Sequence, residues 1–94
     1  MLTWDENKRR QNLKRHRIDF ADLESVSDYP MDSEEDRTDN HTELRIRSLG
    51  LLRGRVVRMI WAPVGDDARI ISCRYGENYE TRKYFKSVLH TGRN

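Results

Sequence analysis

Cysteine is nearly absent from this 94-residue chain: Cys73 stands alone, which excludes an internal disulfide and any metal site built from several cysteines. Cys73 lies within an apolar strand, where a thiol packs and does not react, so neither zinc nor redox chemistry has support. Apolar residues are also scarce, at 35% against 36% charged, and the core must be thin under a heavily solvated surface. No apolar run approaches the roughly 18–20 residues that span a bilayer. Met1-Leu2-Thr3-Trp4 leads into charged residues and not into a signal-peptide core. The expectation is a cytoplasmic protein, residues 1–94 forming a single domain, with no membrane partner, no metal and no cofactor. The sequence has no internal repeat and no low-complexity segment.

What the chain does have is segregated charge. The net charge of +2 conceals a balance of +4 over residues 1–18, −9 over residues 19–43 and +7 over residues 44–94. Brought together by the fold, the two basic regions would attract polyanions, and nucleic acid is the expected class.

Asp5 is a good N-cap for a polar helix running to about His16. Leu13 is its only large aliphatic residue, so something polar must orient the helix, and Lys8, Asn12 and His16 recur at intervals of four as one stripe. A second helix begins at Asp19, with Phe20, Leu23 and Val26 three apart as its core face, and Tyr29-Pro30 ends it. Residues 31–40 are acidic and aperiodic, a loop or a short edge strand. Strands follow at Glu43–Leu49, Arg55–Ala62 and Ala68–Tyr75, with Gly50, Gly54, Pro63 and Gly65-Asp66 in the turns. Such short connections predict antiparallel pairing. A last helix from about Glu77 to Leu89 directs Tyr84, Phe85, Val88 and Leu89 toward the sheet. The expected fold class is α+β, with N-terminal helices packed on an antiparallel sheet and a C-terminal helix.

Cleaving RNA without a metal needs a base for the 2′-hydroxyl proton, an acid for the leaving oxygen and cations for the growing charge. Arg45, Arg47, Arg55, Arg58, Arg69 and Arg74 are available for the last role. Arg69-Ile70-Ile71-Ser72-Cys73-Arg74 is the most suggestive stretch, because guanidiniums stay protonated and fork onto phosphate. Strict alternation places Arg69 and Arg74 on opposite faces, so a site using both needs a bulge. Arg74 is the better single candidate. Glu80 and Tyr84 share one helix face; Glu80 is either a general base or the partner that orients Arg74, and Tyr84 is either an acid or a core residue with a satisfied hydroxyl. His16, His41 and His90 are the candidates for proton transfer near neutrality, His16 foremost by its place on the stripe. Trp4 and Trp61 are expected to be buried and not to stack on bases.

Trp4-Asp5-Glu6-Asn7-Lys8, then Asn12, Lys14 or Arg15, and His16 before Ile18-Asp19-Phe20, resembles the N-terminal pattern of the BrnT toxins. The resemblance continues through Asp28-Tyr29-Pro30, Glu43, Arg45, Gly50, Gly54-Arg55, Arg69–Arg74, Glu80 and Tyr84. It implies a RelE-like fold and the toxin of a type II toxin-antitoxin pair, a ribonuclease that inhibits translation. It also implies neutralisation by a BrnA-type antitoxin, with operator DNA bound only through the complex. The functional set it implies is Arg74, Glu80, His16 and Tyr84 for catalysis and Lys8, Arg45 and Arg69 for RNA. The competing reading is a non-catalytic antitoxin-binding and co-repressor module. The chain departs from the family pattern at Arg17, where glycine is usual, at Tyr75-Gly76, where Lys-Ala is usual and one phosphate contact is lost, and at Arg58, where an aliphatic residue is usual.

Overall fold

The computed structural model describes residues 1–37 and 42–91, the side chains of His90 and Thr91 excepted; His41 therefore lies outside the described residues, as does the imidazole of His90. Strands β1 (Leu2–Trp4), β2 (Asp32–Glu35), β3 (Ile46–Leu52), β4 (Arg55–Val64) and β5 (Asp67–Tyr75) form one sheet in the order β1-β5-β4-β3-β2. Helix α1 (Glu6–His16) and a 3-10 helix (Phe20–Asp28) follow β1, and α2 (Asn78–Thr91) ends the chain. The class is α+β, as expected, but the sheet is mixed and not antiparallel. β1 pairs parallel to β5, with Leu2 opposite Ala68 and Trp4 opposite Ile70, a long-range pairing that no short connection could announce.

β2, β3, β4 and β5 pair antiparallel in succession, with short turns joining β3 to β4 and β4 to β5. Arg53 and Gly54, at φ 50° and 82°, turn β3 into β4, and Gly65, at φ 60°, turns β4 into β5. Gly50 is not in a turn. It lies within β3, where a Cβ would come 2.5 Å from Val26 Cγ1, so the missing side chain lets the 3-10 helix close onto the sheet. That moves the first hairpin strand to Ile46–Leu52. Pro63, likewise expected in a turn, sits in β4 near its end.

The second helix has the 3-10 form because its apolar residues recur every three positions, the repeat at which side chains eclipse. Phe20, Leu23 and Val26 are accordingly all buried. With Ile18, Leu52, Val57, Met59, Ile70 and Cys73 they make the larger core, on one face of the sheet. Trp4 packs edge-on against Phe20, and the Trp61 indole N–H donates to Ser48 Oγ at 2.9 Å, so both tryptophans are structural. On the other face, Leu49, Val56 and Tyr84 form a second, smaller core. Here α2 presents a single inward row, Glu80, Tyr84 and Val88, while Phe85 and Leu89 stay exposed, contrary to expectation. The sheet beneath offers few apolar residues before its arginines begin. None of the helices, among the described residues, is long and apolar enough to cross a membrane.

Candidate active site

β5 carries an extra residue. Ile60 lies opposite Ser72 but Trp61 lies opposite Ile70, which leaves Ile71 as a bulge. Ile70 and Cys73 consequently face the same core, and their neighbours Arg69 and Arg74 face the opposite side together. The bulge required for a site using both arginines is therefore present. They remain distinct points, however, roughly 15 Å apart along the strand and tethered to different carboxylates.

Arg74 forks onto Glu80, NH1 to Oε1 at 2.8 Å and NH2 to Oε2 at 3.0 Å, and NH1 also donates to the Tyr75 carbonyl at 3.0 Å. Glu80 has a second task, accepting the Glu77 N–H at 2.8 Å as the start of α2 is capped. Burial pushes the Glu80 carboxyl up, but the hydrogen bonds from Arg74 and Glu77 outweigh it and hold the group below the usual carboxylate range. Such a carboxylate is ionised, doubly engaged and a poor base; its geometry is that of an orienting partner. Tyr84, one turn further, is buried with its hydroxyl donating to the Pro30 carbonyl at 2.8 Å, and burial raises its pKa. It fastens α2, and with it Glu80, to the segment entering β2.

α1 lies along the edge of β5 beyond the end of short β1, and the polar anchor is Asn12. Its amide donates to the carbonyls of Ile18 and Cys73, both at 2.9 Å, and its oxygen accepts the Cys73 N–H at 3.0 Å. One side chain thus stands in for a neighbouring strand. Lys8, Gln11, Asn12, Arg15 and His16 then line a groove of about 210 Å³ with Ile71 and Ser72 of β5. The two basic regions of the sequence do converge. Burial lowers the His16 pKa, and the charges of Arg15 and Arg74 lower it further, so the imidazole is neutral at pH 7 and able to take a proton. Cys73, fully buried, has its thiol pushed up to about 12 by burial and is inert.

Arg69 is ion-paired with Glu43, and Arg45 Nε is 3.6 Å from the same carboxylate. Lys8 is exposed on the groove. The structure thus brings His16 and Lys8 together in the groove, with Arg74 in electrostatic range of His16 and Glu80 behind it, and groups Arg45 with Arg69 elsewhere on the sheet. Asn12 and the Arg74-directed role of Glu80 carry more of the architecture than their residue types announce; the stripe of Lys8, Asn12 and His16 was the available signal. Tyr75 packs against the larger core and receives the Arg55 guanidinium 3.7 Å above its ring. Among the described residues no group of three or more His, Cys, Asp or Glu is placed to hold a metal ion.

These features define a class: a small α+β protein with a cationic, histidine-bearing sheet edge suited to phosphate. The chain belongs to the family described as ribonuclease toxin, BrnT, of type II toxin-antitoxin system, whose model matches residues 4–80. The match includes Lys8, His16, Arg45, Arg69, Arg74 and Glu80 and stops short of Tyr84. Membership makes the chain a ribonuclease toxin by family and implies an RNA substrate and an antitoxin partner. No curated protein matches the chain.

Proposed function

We propose that this chain is an endoribonuclease that cleaves RNA by attack of a 2′-hydroxyl on the adjacent phosphorus, without a metal, and so inhibits translation. The observation that carries the reading is the Arg74 guanidinium fixed bidentately by Glu80 within electrostatic reach of a neutral His16. Two of its five N–H donors go to Glu80 and one to Tyr75, leaving two for the phosphoryl oxygens. In this scheme His16 accepts the 2′-hydroxyl proton, the new P–O bond forms as the bond to the 5′-oxygen breaks, the departing 5′-oxygen takes a proton from water, and Arg74 stabilises the pentacovalent phosphate. Glu80 positions Arg74, Tyr84 positions Glu80, and Lys8, Arg45 and Arg69 hold the flanking strand. We further infer a RelE-like architecture for the single domain, action in the cytoplasm, neutralisation by a BrnA-type antitoxin and contact with operator DNA only through the toxin-antitoxin complex.

Purified protein incubated with RNA in EDTA tests the scheme. Cleavage is expected to persist in the chelator, and Arg74→Ala is expected to lose roughly 10²–10³-fold in rate, the usual effect of removing one transition-state donor. Because that change also leaves Glu80 without its partner, Arg74→Lys serves as a second variant that keeps the charge but not the fork. An Arg74→Ala protein that cleaves as fast as the unmutated chain overturns the mechanism, and loss of cleavage in EDTA overturns its metal independence.

A further inference from the structure

Beside the Arg74–Glu80 pair, a pocket of about 190 Å³ opens on the α2-covered face, with Arg47, Arg58, Tyr79, Glu80 and Lys83 in its wall and Asp32 and Glu34 at β2. Its charges are paired with one exception. Arg47 binds Glu34 at 2.8 Å and faces Asp36 at 3.8 Å. Lys83 lies 3.4 Å from Glu34 and 4.0 Å from Asp32. Glu80 is held by Arg74. Arg58 makes no ion pair among the described residues, and its Nε is buried without a hydrogen-bond partner.

That arrangement is costly. A guanidinium cannot shed its proton, so a buried Nε–H without an acceptor in a central strand is either satisfied by a ligand or tolerated at a loss. Arg58 stands in register between Leu49 of β3 and Arg74 of β5, where an aliphatic residue would simply extend the small core beneath α2. Asp32, Glu34 and Glu80 equal Arg47, Arg58 and Lys83 in number, and their oxygens are engaged by Arg47, Lys83 and Arg74, so what the pocket leaves without an acceptor is the Arg58 Nε–H. An anion with several strong acceptors and a planar pair of oxygens is the matching ligand.

We propose that this pocket is a phosphate-binding subsite organised by Arg58, with Arg47 and Lys83 at its wall. Given the ribonuclease reading on which this assignment of ligand rests, the phosphate is that of a nucleotide neighbouring the one held at Arg74; the binding chemistry itself is that of any phosphate. Binding is therefore measured apart from cleavage.

The unmutated chain, Arg58→Leu and, as an exposed control, Arg82→Leu are melted with and without inorganic phosphate and titrated with a non-cleavable 2′-O-methyl RNA oligonucleotide over a range of salt. Phosphate is expected to raise the melting temperature of the unmutated chain and of Arg82→Leu but not of Arg58→Leu, which in phosphate-free buffer melts no lower than the unmutated chain. The oligonucleotide is expected to bind Arg58→Leu with a salt slope smaller by about one, the signature of one lost phosphate contact. A phosphate effect lost in Arg58→Leu with an unchanged oligonucleotide slope assigns the site to free phosphate. Equal phosphate responses in all three proteins, with unchanged slopes, overturn the subsite. NMR of the unmutated chain makes the test independent of how the variants fold: phosphate is expected to shift the Arg58 Nε–H resonance and not that of Arg82, and an unmoved Arg58 resonance overturns the proposal. Failure of the Arg74 cleavage test leaves these binding readouts intact.

Discussion

Arg17 closes α1 in the left-handed region, at φ 62°, with its N–H on the Leu13 carbonyl at 3.0 Å. Glycine is the residue that tolerates this conformation without a Cβ conflict, so the arginine costs about 1 kcal/mol there. Arg17→Gly is expected to stabilise the protein by about that amount, read as a higher urea midpoint at unchanged m-value, with RNA cleavage unaffected. An equal or lower midpoint would show that the arginine side chain returns what its backbone loses. Glu80 shows the complementary lesson for function. Its residue type left base and orienting partner equally open; two engaged oxygens and a lowered pKa favour the second. Arg69, on its own carboxylate at Glu43, has the geometry of an anchor.

Among the elements, the hairpins were legible because their turn residues carry a local conformational demand, as at Arg53-Gly54 and Gly65. Gly50 was misread because a glycine needed for close approach looks the same in sequence as a glycine needed for a turn. Nor could the Ile71 bulge be read from Ile70-Ile71-Ser72-Cys73, where either register buries apolar atoms; only pairing against β4 fixes it. The parallel β1–β5 pairing depends on residues some 65 positions apart and leaves no local mark. The contact that sets the 3-10 helix on the sheet can be tested directly. Gly50→Ala forces its Cβ against Val26 Cγ1 and is expected to destabilise by ~1–3 kcal/mol, the range for overpacking. Val26→Ala clears that space, so the double variant should be more stable than the sum of the two single losses, a coupling that a double-mutant cycle measures. Strict additivity would mean that the helix is held away from β3 by something else.

Across the whole molecule, acidic groups serve as partners to a basic framework. Glu6, Asp19, Glu34 and Glu80 all have pKa values lowered from the ordinary carboxylate value, through arginine or backbone hydrogen bonds that outweigh burial. Their ionised forms therefore contribute stability above about pH 4 that is lost as the pH falls through their folded values. His16 acts in the same sense: burial lowers its pKa, so the unfolded chain takes up its proton first and stability begins to decline below about pH 6.5. Thermal melts are expected to be flat between about pH 7 and 8, to decline above about pH 8.5 because the fold holds the Cys73 thiol protonated, to drift down below about pH 6.5, and to fall steeply below about pH 4. A His16→Gln variant should lose the drift and keep the steep fall; retention of the drift would place that titration elsewhere. Charge alone marked the two basic regions but not whether they meet; their convergence, and the tethering of Arg47, Arg69 and Arg74 to carboxylates, required the fold.

The Asn12 amide has one more consequence. Because it occupies both the N–H and the carbonyl of Cys73, a second copy of the chain meeting β5 edge-on finds no ladder to extend there. Growth into ribbons or fibres is thereby blocked along the margin beside His16, and that flank can face solvent without becoming adhesive.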